Sequence, residues 1–282
     1  MTTTSPAGGP DSAPGGPSAP ASAPRPGRGA RLKTLGVGFG SGMLNGLVGV
    51  GGGILIVPGL MLVRGLPPQT AVSTSLGSVL IISAVALGVH LIISGLHFNA
   101  LGILVLLAAG IGGAQLGGFL LKRLSPRWVI LVFAVMVLVS ALQLIAVAVD
   151  LLPALVSGLA EPPLWSYPVL GVFGGTLSGL LGIGGGGLVV LGFSVLFHTP
   201  VLGGLPVALA INVTNSLSGV IAQRNTGRIL WREVRALVPS ALLGVLVGAG
   251  LAVLLPPNVL RIVFALFFVF MGCQLILRAT KG

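Results

Sequence analysis

The same glycine-broken apolar motif occurs twice in this chain, as Gly46-Leu-Val-Gly-Val-Gly-Gly-Gly53 and as Gly179-Leu-Leu-Gly-Ile-Gly-Gly-Gly186. Each copy sits inside a long hydrophobic segment. A run of glycines cannot continue a helix cheaply, because glycine gives up the most backbone freedom on ordering. Non-helical backbone inside a bilayer must in turn be buried in protein or line a wet cavity. The motif therefore demands a membrane fold in which two interrupted helices are enclosed by the rest of the chain.

The surroundings agree. Only 7% of the 282 residues are charged and 54% are hydrophobic, against roughly 25% charged in a soluble domain. Mean hydropathy is +1.09. The stretches 71–94, 100–121, 129–149 and 259–277 each reach the length of about 18 apolar residues expected of a membrane span. The net charge of +11 would suggest nucleic acid in a soluble protein, but here the basic residues stand between apolar spans and orient them. No nucleic-acid partner is expected. The single cysteine, Cys273, excludes an intrachain disulfide and a cysteine-ligated metal. Residues 1–30 are rich in Pro, Gly, Ala and Ser and read as a disordered tail, without the pattern of a signal peptide.

The repeat extends beyond the glycines. Gly95-Leu-His-Phe-Asn99 aligns with Gly227-Arg-Ile-Leu-Trp231, Ser125–Phe133 with Pro256–Phe264, and Ala141–Ile145 with Gly272–Ile276, at offsets of 131 to 133 residues. Two copies follow, 31–149 and 168–282, joined by a proline-bearing linker, 150–167. Each copy predicts a broken segment and then three helical spans.

Whether the broken segments cross the membrane or turn back is decided by lysine and arginine placement. Full crossing puts 10 basic residues inside and 5 outside. Re-entrant hairpins put 14 inside and leave only Arg261 outside. The arms are also short for a hydrocarbon core of about 30 Å. With three crossings per copy, the copies run in opposite directions. The expected fold is an all-α integral membrane protein. It is an inverted repeat of two halves, each a glycine-broken re-entrant helical hairpin plus three transmembrane helices, with both termini cytoplasmic. Such repeats with broken helices at the midplane are transporter architecture.

The helix that follows each break begins with unpaired N–H groups and the positive end of its dipole, a ready anion site. Ser41, Asn45, Thr176 and Ser178 lie before the breaks. Ser73, Thr74, Ser75 and Ser78 follow the first, and Asn212, Thr214, Asn215, Ser216 and Ser218 the second. They can hydrogen-bond an oxyanion or join helices to one another. Close helix packing through small residues is the competing explanation of the glycines themselves. The four carboxylates, Asp11, Asp150, Glu161 and Glu233, lie outside the middle of any span, which argues against proton coupling through a buried acid. His90 is the one titratable group well inside a span and the candidate for coupling. His97 and His198 fall in loops, and no metal or cofactor site is expected. The glycines do not form a dinucleotide fingerprint, since no βαβ unit accompanies them, nor a Walker A loop, which needs Lys-Ser/Thr. No nucleophile–base pair or paired carboxylates point to an enzyme.

From about Leu35 to Leu277 the chain resembles the TauE/SafE sulfite exporter family of bacterial membrane proteins. The resemblance is carried by Asn45-Gly-Leu-Val-Gly-Val-Gly-Gly-Gly53, Ala71-Val-Ser-Thr-Ser-Leu76 and the second Gly179–Gly186 motif. It implies export of small sulfur-containing anions such as sulfite, sulfoacetate or other organosulfonates. It points to Asn45, Gly51, Gly52, Gly53, Ser73, Thr74 and Ser75 as substrate-binding, with Gly184, Gly185 and Gly186 in the second half and Asn212, Thr214 and Asn215 nearby. The expectation is a secondary transporter in the bacterial plasma membrane. Its substrate would bind between the hairpin tips, and rocking of the two halves would give alternating access. Its partners are a small anion and the bilayer. An anion channel, or carriage of another small organic anion, is the alternative, and a homodimer stays open.

Overall fold

The structure is a computed structural model that describes residues 28–49, 51–94, 100–148, 162–197 and 205–254, with isolated helical residues between 262 and 277. Most of the tail and of the linker, and much of the last span, lie outside the described residues. Every described element is helical. In chain order these are α1 (Arg28–Val48), α2 (Gly53–Arg64), α3 (Pro68–Ser94), α4 (Ala100–Arg123), α5 (Pro126–Ala148), α6 (Ser166–Leu181), α7 (Gly186–Phe197), α8 (Leu205–Gln223) and α9 (Trp231–Leu254). A short 3-10 turn, Arg224–Thr226, follows α8.

This is an all-α, multi-pass membrane protein. The segments 68–92, 100–123 and 231–251 are long and apolar enough to cross a bilayer. Their outward faces carry large apolar side chains, such as Leu101 and Leu104 on α4 and Leu243 and Leu246 on α9, all more than half exposed. Such contiguous apolar surface suits lipid rather than water.

Each broken segment folds back on itself. A Cβ added at Gly40 would lie 2.9 Å from Leu55, one at Gly59 2.5 Å from Val37, and one at Gly52 2.8 Å from the Ser41 carbonyl. So α2 runs antiparallel along α1. The second hairpin repeats the arrangement, with Gly192 facing Leu170 and Gly185 facing Gly174. The return arms α2 and α7 have 12 residues each, about 18 Å of helix.

The two halves interlock. Gly38, Gly42 and Gly46 of α1 face the backbone carbonyls of Leu237, Ala241 and Val245 of α9. The counterparts Gly171, Gly175 and Gly179 of α6 face those of Leu106, Gly110 and Ala114 of α4. Glycine at every fourth residue clears a groove one side chain wide, so the helix axes approach until backbone meets backbone. The first helix of each half is thereby clasped by a helix of the other half. Between these two pairs α3 packs against α8. The core formed there includes Ile54, Ile56, Leu60, Val79, Ile183, Leu209 and Leu237, each no more than 1% exposed.

Candidate functional site

The glycine breaks have the same backbone course in both halves. Gly49, Gly51 and Gly52 have φ of 67°, 93° and 64°; Gly182, Gly184 and Gly185 have 72°, 97° and 85°. Left-handed backbone strains any residue with a Cβ, by roughly 1–2 kcal/mol apiece. Three such residues within four positions are practicable only for glycine.

The two tips meet. Gly51 and Gly53 lie against the backbone of Gly182 and Ile183, so close that an added Cβ would collide. The backbone groups released by each break are satisfied largely by side chains, as burial requires. The Asn45 Oδ1 accepts from the Gly51 N–H at 2.9 Å, and its Nδ2 donates to Ser83 Oγ at 3.2 Å. Asn212 bridges both breaks. Its Oδ1 accepts from the Gly186 N–H at 2.7 Å and its Nδ2 donates to the Gly49 carbonyl at 2.9 Å. The Ser75 hydroxyl donates to the Gly182 carbonyl at 2.8 Å, and Asn215 Nδ2 to that of Gly184 at 3.2 Å. The helix after each hairpin, α3 or α8, thus holds the break of the other half, Ser75 reaching Gly182 and Asn212 reaching Gly49. Asn45, Ser75, Asn212 and Asn215 are all fully buried.

Of the residues singled out from sequence, Asn45, Gly51, Gly52, Gly53, Ser75, Gly184, Gly185, Gly186, Asn212 and Asn215 come together at the tips. Three do not make a contact there. The Ser73 hydroxyl donates to the Gln69 carbonyl of its own helix, and Thr214 to those of Ala210 and Ile211. Thr74 reaches away, accepting from the Leu230 N–H at 3.1 Å and donating to the Arg228 carbonyl at 3.4 Å. His90 stands toward the end of α3 with its ring against the Gly46 backbone, and its Nε2 is buried without a partner.

Three features escaped the sequence reading. The first is Ser83, which supports Asn45; it lies two turns beyond Ser75 on the same face of α3, a spacing that could have revealed it. The second is a buried ion pair between Arg64 at the end of α2 and Glu233 at the start of α9, with Arg64 Nε to Glu233 Oε2 at 3.1 Å. Nothing local in the sequence links residues so far apart. The third is the pairing of α4 with α8 through a ladder, in which the sequence had pointed to Ser218 without its partners. Gln115 Nε2 donates to Ser218 Oγ at 3.0 Å, Gln223 Nε2 to the Gly118 carbonyl at 3.2 Å, and Lys122 Nζ to the Ala222 carbonyl at 2.9 Å.

Chemically, the tips offer the N-terminal ends of α2 and α7, and the Ser178 and Ser216 hydroxyls end buried without a partner. Glu233 is the only carboxylate among the described residues, and Arg64 neutralises it. Among the described residues no three of His, Cys, Asp and Glu gather to hold a metal ion. Two broken hairpins joined tip to tip inside a bundle of lipid-facing helices belong to a membrane transporter.

The family model described as "Sulfite exporter TauE/SafE" matches residues 9–144 and 167–282, and the chain belongs to that family. It is similar to the "Probable membrane transporter protein YunE" of Bacillus subtilis, 25% identical over 261 residues that cover 85% of this chain and 95% of the relative. It is also similar to the "Probable membrane transporter protein MJ0441" of Methanocaldococcus jannaschii. That relative is 27% identical over 218 residues, 73% of this chain and 78% of the relative. No solved structure matches the chain.

Proposed function

We propose that this protein is a secondary exporter of small sulfur-containing anions, such as sulfite, sulfoacetate or other organosulfonates, in the bacterial plasma membrane. The anion binds at the paired tips near the midplane, where the dipole ends of α2 and α7 favour negative charge. Ser178 and Ser216 are the uncommitted donors. Asn45, Ser75, Asn212 and Asn215 shape the seat by fixing the breaks, and Gly51–Gly53 and Gly184–Gly186 let the anion approach backbone.

The observation that carries this reading is which charged groups touch. If the broken segments crossed the membrane, Arg64 and Glu233 would stand on opposite faces, and so would Lys122 and the end of α8. Both pairs are in contact. Re-entrant hairpins put all four on the cytoplasmic face, which supports reading 31–149 and 168–282 as an inverted pair of repeats. The interlock makes the moving units mixed ones, α1–α2 with α9 and α6–α7 with α4, rather than the sequence halves. Alternating access then runs along the α3–α8 contact.

His90 is the residue assigned to coupling. Exchange of His90 for Gln should flatten the pH dependence of transport while leaving exchange intact. The whole reading is tested with purified protein in liposomes and labelled sulfite and organosulfonates. Saturable flux with counterflow is expected. An absence of anion-dependent flux refutes it, and an ohmic current in place of saturable flux makes the protein a channel.

A further inference from the structure

Among the described residues, several buried polar atoms lack a hydrogen-bond partner, and one of them belongs to a permanently charged group: Nη1 of Arg228. Arg228 as a whole is half-buried, whereas the Arg64 side chain is buried and paired with Glu233. Arg228 has no such neighbour to turn to, because Glu233 is the only carboxylate among the described residues.

The backbone that carries Arg228 is firmly placed. Gly227 turns the chain with φ 64°. The Arg228 N–H donates to Thr226 Oγ1 at 3.3 Å, and its carbonyl accepts from Thr74 on α3. Leu230 N–H donates to the same Thr74 hydroxyl at 3.1 Å. Just beyond, Ile229, Trp231 and Val234 stand over Gly77 of α3, within 3.3–3.7 Å of an added Cβ. Ser75, the neighbour of Thr74, holds the Gly182 carbonyl of the second break. The arginine is therefore tied to the stretch of α3 that leads directly to the tips.

A guanidinium keeps its charge at any physiological pH and presents five donors in a flat fork that matches two oxygens on one centre. Withdrawing one of its nitrogens from water with nothing to bond is unfavourable. No described residue supplies a counter-ion, which leaves the position open to one from outside the chain. We infer that Arg228 is the recruiting site for the transported oxyanion on the cytoplasmic side. It binds two oxygens of a sulfite or sulfonate head before the anion passes along α3 to the tips. This rests on the transport reading above. A lipid phosphate offers the same oxygens, and the test separates the two sources.

The experiment uses the full chain in liposomes of neutral phosphatidylcholine, with sulfite as probe. Flux from the cytoplasmic face and the thermal midpoint are followed against sulfite concentration. Arg228→Gln should raise the half-saturating sulfite by roughly tenfold or more, the loss of a charge-assisted pair of bonds. Arg228→Lys, which keeps charge but not the fork, should fall between. Without sulfite, the Gln variant should be as stable as the wild type or more so, because an unpaired cation has been removed. A merely structural arginine would show the reverse, a lower midpoint without anion and an unchanged half-saturation, and that result overturns the inference. So does a sulfite response of the Gln variant equal to the wild type. A difference between the variants that arises on adding phosphatidylglycerol, without sulfite, assigns the site to lipid and also overturns it. Wild-type protein that neither transports sulfite nor is stabilised by it refutes the transport reading itself.

Discussion

Asn212 is the most informative side chain to remove. Fully buried, it accepts from the Gly186 N–H at 2.7 Å and donates to the Gly49 carbonyl at 2.9 Å, and so it ties the second break to the first. Asn212→Ala deletes both bonds and leaves a donor and an acceptor stranded. Hydrogen bonds between membrane helices average about 0.6 kcal/mol and reach about 1.7, since polar groups find other partners in the membrane-unfolded state. Two bonds therefore bound the loss at about 1–3 kcal/mol. The upper part of that range is expected, because the Gly186 N–H is the first of α7 and the Gly49 carbonyl lies in the break, so neither has a helical partner to take it over. Ser75→Ala deletes one bond, to Gly182, and should lose about 1 kcal/mol. The assay is reversible unfolding in mixed micelles by SDS titration, followed through the three tryptophans. Asn45→Ala combined with Asn212→Ala should lose less than the two separate losses together, because both side chains hold the same short loop. A loss for Asn212→Ala below about 0.5 kcal/mol, or no larger than that for Ser75→Ala, would refute the idea that these side chains hold the breaks together.

Four further outcomes follow from the same geometry. Gly42→Val and Gly175→Val each drive a side chain into a backbone carbonyl, of Ala241 and Gly110, and should abolish accumulation in the membrane. Gly65→Ala, at φ 63° but in open space, should lower stability by only about 1–2 kcal/mol. Glu233→Gln leaves the Arg64 guanidinium buried and unpaired, a loss of about 3–5 kcal/mol, most of which the double change Arg64→Met with Glu233→Leu should recover. In a Cys273→Ser background, single cysteines replacing the exposed Lys122 and Arg232 should both react with an impermeant maleimide from the cytoplasmic face; labelling of either from outside overturns the inverted arrangement.

Most of the helices were legible because apolar length and glycine or proline punctuation are local signals. The spans expected over 71–94 and 100–121 fall within α3 and α4, and the broken segments divide at the glycines that broke the pattern. Less legible was the division of labour among the glycines. Packing and site had stood as rival explanations, and packing accounts for one set of glycines but not for the other. Gly38, Gly42 and Gly46 are spaced at a helix repeat and face carbonyls of a neighbouring helix, whereas Gly49, Gly51 and Gly52 carry positive φ. The spacing separates the two sets in retrospect. Four of the side chains expected to hold an anion are engaged with the chain itself. Asn45, Ser75, Asn212 and Asn215 use polar atoms on freed backbone, a demand that any buried break makes before a ligand arrives. Contacts such as Arg64 with Glu233 depend on how the halves dock, and one sequence carries no pattern for that.

The interlock explains why so many residues serve the breaks. A duplicated chain whose halves met only at their tips could part there, and the freed carbonyls would then face lipid. With α1 clasped by α9 and α6 by α4, each hairpin is anchored along its length by the other half. The clasp joins backbone to backbone and cannot slide without lifting helices apart. The contact between α3 and α8 is different in kind. Leu76 meets Gly219 there through flexible side-chain atoms. Motion is therefore easiest along α3 and α8. Those are the two helices that also carry Ser75 and Asn212, so a shift between them changes the hold on both breaks at once. On the transport reading proposed above, the halves need not separate: the latches on Gly49 and Gly182 would be exchanged for bonds to an anion and then restored.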